Sequence, residues 1–338
     1  MPRRYRPSET NIPDTMNAAA VERFGPPSLL KLHRVPVPHP EPQEILIALD
    51  TAGVGSWDAS IRDGSWRRTG TPKFPLVPGT DGAGTVVGTG SRVKRFRPGD
   101  RVYAYEFGNR HGGFYAQYVV VRADRAAHIP KALGLRDAGA VATTGLTALQ
   151  GIMALGIRRG RTVLIFGASG AVGTMAVQFA ANRGAIVIAT ATGRAAARLV
   201  RSLGAAAVAD VRTEKGFDRL RAAAPAGVDG IFALAGGEEL ERCLDFVRPR
   251  GQLIHPNGVE PLPRPRKGIR IRGFDAVSSP RQFARLNRQF NEHRMHVPIA
   301  ATYPLAHASR AHCRLDDGQV LGRIVLRIRW SSQSPLTD

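Results

Sequence analysis

Apolar residues change their spacing partway along this chain, and the change predicts two kinds of architecture. Residues 163–166 form a short apolar run that reads as a buried parallel strand. A turn follows, Gly167-Ala168-Ser169-Gly170-Ala171-Val172-Gly173. Beyond it Val172, Met175, Ala176, Phe179 and Ala180 recur at the spacing of one helical face. Further strands are expected at 186–190, 206–209, 228–234 and 252–255, separated by helical stretches such as 194–203. Strand and helix in alternation predict a doubly wound parallel sheet. Before about Arg122 the pattern differs. Short strands such as 44–49 alternate with glycine and proline turns near 79–84, 98–102 and 112–114, which predicts a β-rich, barrel-like domain. From Pro280 onward come two helix-like stretches, 281–293 and 306–315, and a final strand at 323–328.

The turn after residue 166 carries chemistry as well as structure. Its glycines let the main chain bend sharply, let a pyrophosphate approach, and let helix pack on strand. Free N–H groups at the helix start then face the phosphate charge. Because a strand precedes it and a helix follows, the motif reads as a dinucleotide-binding fingerprint. The next strand bears on which dinucleotide. A free ribose 2′-OH usually meets an Asp or Glu roughly 20 residues past the glycines. Here the chain runs Ile188-Ala189-Thr190-Ala191-Thr192-Gly193-Arg194, with no acid. Thr190 and Thr192 are small and hydroxylated, and Arg194 offers a planar fork to a 2′-phosphate. The pattern predicts NADP(H) over NAD(H). The competing reading makes Arg194 a solvated first-turn residue of the helix 194–203.

Composition narrows the field. A chain of 338 residues, 43% hydrophobic, can bury a large core and suits two domains. No apolar run is long enough to span a membrane. Residues 1–16 contain no apolar segment, so they read as a disordered arm and not as a secretory signal. Two cysteines, Cys243 and Cys313, exclude a disulfide framework and a Cys-rich zinc site, and a cytoplasmic location is expected. The net charge of +21 raises a nucleic-acid partner. However, 42 of the 48 basic residues are arginine, spread through nearly every segment and not gathered into one stripe. No specific nucleic acid is therefore expected, and the positive field suits a phosphorylated cofactor.

With these residues in place, the chain resembles the medium-chain dehydrogenase/reductase superfamily, and within it the zinc-independent quinone oxidoreductases. The resemblance rests on VERFGPPSLLKLHRVPVPHPEPQEILI (21–47), GVGSWDASIRDG (53–64), PLVPGTDGAGTVVGTG (75–90) and RPGDRVYAY (97–105). It continues through GGFYAQYVVV (112–121), GLTALQGI (145–152), the glycine turn and GQVLGRIVL (318–326). The resemblance implies an α/β fold in which a chaperonin-10-like β-barrel catalytic domain comprises residues 17–138 and 280–338. A Rossmann dinucleotide-binding domain, 139–279, is inserted between them, and the active site lies in the cleft. It further implies that Thr147, at the start of a helix, lies beside the nicotinamide. Gly170, Ala171, Val172 and Gly173 would meet the pyrophosphate, Gly236 and Gly237 the nicotinamide ribose, and Arg323 would reach across to the pyrophosphate.

Departures from the family bear on the reaction. Zinc-dependent relatives place a metal-binding Cys where this chain has Gly55, and a His-Glu pair where it has Thr80-Asp81, so no metal is expected. Many quinone-reductase relatives carry Asn at the position of Gly55, and some carry Tyr at that of Ser60. Trp57 replaces the proton-relay hydroxyl of alcohol dehydrogenases. Glycine and tryptophan here predict a cleft opened at Gly55 and walled by Trp57, suited to a flat apolar electrophile. The resemblance therefore implies an NADPH-dependent reductase of a quinone or α,β-unsaturated carbonyl (an enone). Ser60, Tyr103 and Tyr105, placed in barrel loops, are candidate proton donors, and Asp58 is read as organising its loop. Two alternatives stay open. One is an enoyl or double-bond reductase with a specific physiological substrate, the other a nucleotide-gated nucleic-acid-binding protein without turnover. The segment 267–274, with its alternating IRIRGF, reads as an exposed edge strand able to pair with its twin, and the family implies a homodimer.

Overall fold

In the computed structural model, which describes residues 12–66 and 72–328, two sheets share one helix. The chain opens with β1 (Thr15–Ala20), β2 (Lys31–Pro36) and β3 (Glu44–Val54), then turns through helix α1 (Ser56–Asp63). It continues with β4 (Asp81–Thr89), β5 (Arg101–Tyr105), β6 (Tyr118–Arg122) and β7 (Ala126–His128). Helix α2 (Leu135–Ala154) leads into β8 (Thr162–Phe166), α3 (Ala171–Asn182), β9 (Ile186–Thr190), α4 (Gly193–Ser202), β10 (Ala207–Ala209) and α5 (Glu214–Ala223). Next come β11 (Val228–Ala233), α6 (Glu238–Leu244), β12 (Val247–Pro256) and β13 (Arg270–Phe274). The tail adds α7 (Pro280–Glu292), β14 (Ile299–Pro304), α8 (Ala308–Asp316) and β15 (Arg323–Arg327).

Strands β8 to β13 form a parallel sheet in the order β10-β9-β8-β11-β12-β13. Every residue of β8 is buried, as a strand covered on both faces requires. Val163 and Ile165 pack with Val141, Leu146 and Phe179, whereas Leu164 and Phe166 pack with Phe217 and Leu240 on the other face. The strand order reverses between β8 and β11, so a crevice opens at their carboxyl ends, where such sheets hold ligands. The expected doubly wound sheet is present.

The second sheet runs β14-β15-β3-β4-β5-β7, with β6 also on β3. Its antiparallel β3–β15 pairing, Val54 opposite Ile324 through Thr51 opposite Arg327, joins the chain's last strand to one of its first. The barrel core gathers Ile45, Ile47, Leu49, Phe114, Tyr115 and Leu326. Helix α2 packs on β3, β4 and β15 on one side and on α3 and β12 on the other, which explains why its central turns are buried all round.

Several sequence expectations shift. Thr15 and Met16, assigned to the arm, begin β1, and residues 1–11 lie outside the described residues. The boundary expected at 138/139 falls inside α2. Strand β12 begins at Val247, before the expected 252, because Arg248-Pro249-Arg250, with φ +65° at Arg250, interrupts the apolar pattern there. The helix expected at 281–293 is α7, started by Ser279, whose hydroxyl accepts from Gln282 N–H (3.3 Å), with Pro280 in its first turn.

Candidate active site

A cleft of about 650 Å³ lies between the glycine turn and the barrel. On the dinucleotide side it is lined by Gly167, Gly170, Ala171, Val172, Gly173 and Leu234. This wall is mostly main chain. Helix α3 starts at Gly170 with no side-chain cap, and its first intrahelical bond runs from Thr174 N–H to Gly170 O (2.9 Å). The N–H groups of Ala171, Val172 and Gly173 are thus left for a ligand at the positive end of the helix. A Cβ built on Gly170 would meet only Gly167 O, at 3.7 Å, so space lies over the turn. A Cβ on Gly173 would come within 2.3–2.7 Å of the main chain of Gly167 and Ala168, so this glycine allows helix to press on strand. The cradle fits a pyrophosphate.

The barrel side is built from charged and aromatic side chains. Arg323, 2% exposed, donates from Nη2 to Asp81 Oδ1 (2.7 Å), and Asp81 is fully buried. Asp81 Oδ2 accepts from Thr143 N–H of α2 (2.9 Å), so this carboxylate ties β4, β15 and α2 together. The Arg323 guanidinium lies over the Trp57 ring at 5.0 Å, within cation–π range. Trp57 Nε1 in turn donates to Thr80 Oγ1 (2.7 Å). Arg323 Nε and Nη1 have no acceptor among the described residues, and the indole covers part of that deficit. Asp58, fully buried, starts α1 by accepting from Gly55 N–H (2.8 Å). Burial pushes its carboxyl up to about 7; the Arg323 charge opposes the rise and Asp81 adds to it.

The barrel side does not fit zinc. Gly55 offers no donor, the Thr80 hydroxyl is engaged by Trp57, and Asp81 is engaged by Arg323 and Thr143. Among the described residues no group of three or more metal-ligating side chains is assembled.

The sequence-derived site residues divide in two. Gly55, Trp57, Tyr105, Thr147, Gly170, Ala171, Val172, Gly173 and Arg323 line the cleft together. Thr147 sits in the middle of α2 and not at its start, with its hydroxyl donating to Thr143 O (2.8 Å). Gly55 does not open the cleft: a Cβ there would lie 2.6–2.8 Å from Trp57 and Arg323 Nη1, which already fill the space. Arg323 is anchored on Asp81 through Nη2 and lines the cleft together with the glycine turn it is expected to face. Tyr103 is removed from the cleft. It is fully buried, donates to Asn287 Oδ1 (2.5 Å) and packs edge-on against Phe283. Ser60 lies within α1, bonded to Ser56 O (3.2 Å), and Tyr105 ends β5; neither stands in a loop. Burial raises the Tyr105 hydroxyl well above its ordinary range, with Asp81 contributing.

The 2′-phosphate candidates stand apart from the cleft. Thr190 Oγ1 accepts from Gly167 N–H (2.9 Å), fastening β9 to the glycine turn. Thr192 precedes α4 without a side-chain capping bond, and Arg194 follows in its first turn; both are exposed. Gly236 packs against the main chain of Glu260 and Pro261, and Gly237, with φ +114°, caps α6. Sequence reasoning missed Thr143, Trp66, Phe107, Phe274, Leu315 and Val320 in the lining. Apart from Thr143, only their aromatic or apolar character could have marked them.

Comparison with known proteins agrees with this architecture. Residues 41–131 match the model of the alcohol dehydrogenase GroES-like domain, and residues 203–326 match that of the zinc-binding dehydrogenases. The chain is 31% identical to a mouse quinone oxidoreductase over 312 residues, covering 88% of this chain and 93% of that protein. It is 32% identical over 271 residues to alcohol dehydrogenase 1 of Neurospora crassa, covering 72% and 76%. Among solved structures, the Escherichia coli quinone oxidoreductase complexed with NADPH superposes with a TM-score of 0.83 at 25% identity, over 92% of this chain and 99% of that one. The barrel, the inserted parallel sheet and these relatives establish that the chain belongs to the medium-chain dehydrogenase/reductase family, as a quinone oxidoreductase-like protein.

Proposed function

We propose that this oxidoreductase uses NADPH to reduce a flat conjugated carbonyl, a quinone or an enone, without metal. One observation carries the reading. The glycine cradle opens into the same cleft as an aromatic wall of Trp57, Tyr105 and Phe274, and among the described residues no donor set for a metal is assembled there. A reduced nicotinamide supplies a hydride when bound. The protein's part is to hold acceptor and cofactor in near-attack geometry and keep water out. Ala171, Val172 and Gly173 N–H groups hold the pyrophosphate. Thr143 and Thr147 line the cleft wall, the Thr147 hydroxyl donating to Thr143 O, and Tyr105 is the one tyrosine among the candidates that lines it. Burial keeps its hydroxyl protonated, so it can donate a hydrogen bond to the acceptor oxygen, while the proton that completes the reduction comes from solvent.

Arg194 at the exposed start of α4 and the absence of an acid after β9 support NADPH as the cofactor. So does the NADPH bound in the Escherichia coli neighbour. Strand β13 lies at the edge of the parallel sheet, where pairing with its twin would make a dimer. Light scattering checks this, since a monomeric mass removes the idea. Cys243 and Cys313 are free, which suits a reducing compartment such as the cytoplasm. The reaction is tested by following NADPH absorbance with a panel of quinones and enones, with NADH in parallel. Oxidation with at least one acceptor, faster with NADPH, is expected; no oxidation with any acceptor overturns the reading.

A further inference from the structure

We propose, resting on the reductase reading above, that Trp66 and Phe107 form the outer wall of the acceptor subsite and select quinones that carry a second fused ring. Trp66 follows α1, its N–H donating to Ser60 O (3.0 Å), and Phe107 lies two residues beyond β5. Their rings meet edge to face, 5.1 Å apart at 62°, an arrangement the aromatic quadrupole favours. Both line the cleft with Trp57 and Tyr105. Trp66 also reaches the opposite half of the molecule: a Cβ on Gly258, just past β12, would lie 3.3 Å from its Cζ3. The pair therefore closes the cleft from the barrel side onto the dinucleotide side.

The two aromatic walls differ in freedom. Trp57 is held at its edge by Thr80, on its face by Arg323, and against Gly55. It is a fixed platform. Phe107 is 37% exposed and Trp66 half-buried, so both keep apolar surface that a ligand ring could cover. Together with Tyr105 and Phe274, five aromatic side chains from three segments face one cleft, more than a single six-membered ring can touch. A fused bicycle gains from the outer pair what a monocycle cannot.

The test compares kcat/KM for 1,4-naphthoquinone and 1,4-benzoquinone in the wild type, Trp66→Leu and Phe107→Leu. Each substitution should lower the naphthoquinone-to-benzoquinone ratio about tenfold, about 1.4 kcal/mol at 25 °C. The change should fall in the KM for naphthoquinone, with the NADPH Kd altered less than about twofold. An unchanged ratio, or an equal loss on both quinones in both variants, overturns the proposal. If the wild type reduces neither quinone, the subsite is decided by calorimetric titration with 2-naphthol and phenol, and the reductase reading itself fails only if no quinone or enone of the panel is reduced. Tighter binding of 2-naphthol that both variants lose supports the aromatic wall. Indistinguishable binding of the two overturns it.

Discussion

The two walls of the cleft are made of different material. On the dinucleotide side, the turn from Gly167 to Gly173 presents main-chain N–H groups, and its specificity comes from side chains that are missing. On the barrel side, Arg323, Asp81, Asp58, Trp57 and Thr80 form a buried polar cluster drawn from segments far apart in sequence, in which two Arg323 nitrogens keep no acceptor among the described residues. One wall is vulnerable to adding a single carbon atom, the other to removing a single charge. A glycine turn can meet a pyrophosphate with backbone alone, while the barrel wall is shaped by side chains.

The contrast can be broken at several points. The largest effect should come from Asp81→Asn, which strands the buried Arg323 guanidinium. Breaking such a pair costs about 3–5 kcal/mol, readable as a lowered urea midpoint; a loss below about 1 kcal/mol would show that the pair does not hold the barrel wall. Next, Arg194→Ala should weaken NADPH binding by about 1.5–3 kcal/mol, the range for hydrogen bonds to charged groups. NADH binding should be unchanged, and the loss should shrink as salt is added. Equal weakening of both cofactors would make Arg194 a structural residue.

The glycine turn offers a sharper internal contrast. Gly173→Ala forces a carbon into main chain and should cost about 1–3 kcal/mol in thermal melts, with NADPH binding reduced in parallel. Gly170→Ala meets open space and should leave the melt unchanged. Matching melts for the two variants would refute the packing argument.

The smallest expected effect is a near-cancellation with pH. Asp58 has a folded pKa of about 7 against an ordinary 3.8, because burial disfavours its charge. Its stabilising contribution is therefore complete below about pH 4 and is lost as pH rises toward 7. His312 runs the opposite way. Burial and the neighbouring Arg62 lower it to about 3 from 6.5, so its contribution is present above 6.5 and lost as pH falls toward 3. Between about pH 4 and 6.5 the two slopes oppose each other in the wild type. Asp58→Asn should uncover the rise due to His312, measured as unfolding free energy against pH. An unchanged profile would mean that Asp58 does not titrate in this range.

Where periodicity was strong, the sequence announced the structure. Strands β8, β9 and β11, helix α4 and the edge strand β13 lie within a few residues of their expected places, because apolar spacing directly encodes a buried face. Helix α2 was expected to start at Thr147 but begins at Leu135. It is buried all round, so Ala138 to Ile152 show no polar stripe from which to read a period. The glycine cradle was legible because its chemistry is local. The barrel wall was not: Arg323 and Asp81 are 242 residues apart, and nothing in the sequence distinguishes Tyr103 from Tyr105. A β-strand sends neighbours to opposite faces, but residues 103 and 105 share a face, so depth alone separates them. Tyr103 lies beneath α7, where Asn287 takes its hydroxyl, and Tyr105 sits at the strand's end beside the cleft.

The pairing of β15 with β3 also sets an order for biosynthesis. The Thr51–Val54 half of β3 meets residues 324–327, whereas its other half is paired by β6 soon after emerging. On the ribosome the whole parallel sheet, complete by Phe274, can fold before the last barrel strand exists. Until then the nascent barrel carries an unfilled groove in its sheet, open to pairing with another chain. Gly322 N–H also bonds Ser169 O (2.9 Å), so the same late segment clips the barrel to the glycine turn. Stalled chains ending before residue 299 should therefore be far more protease-sensitive in the barrel than in the parallel sheet, and equal resistance of the two would contradict this order.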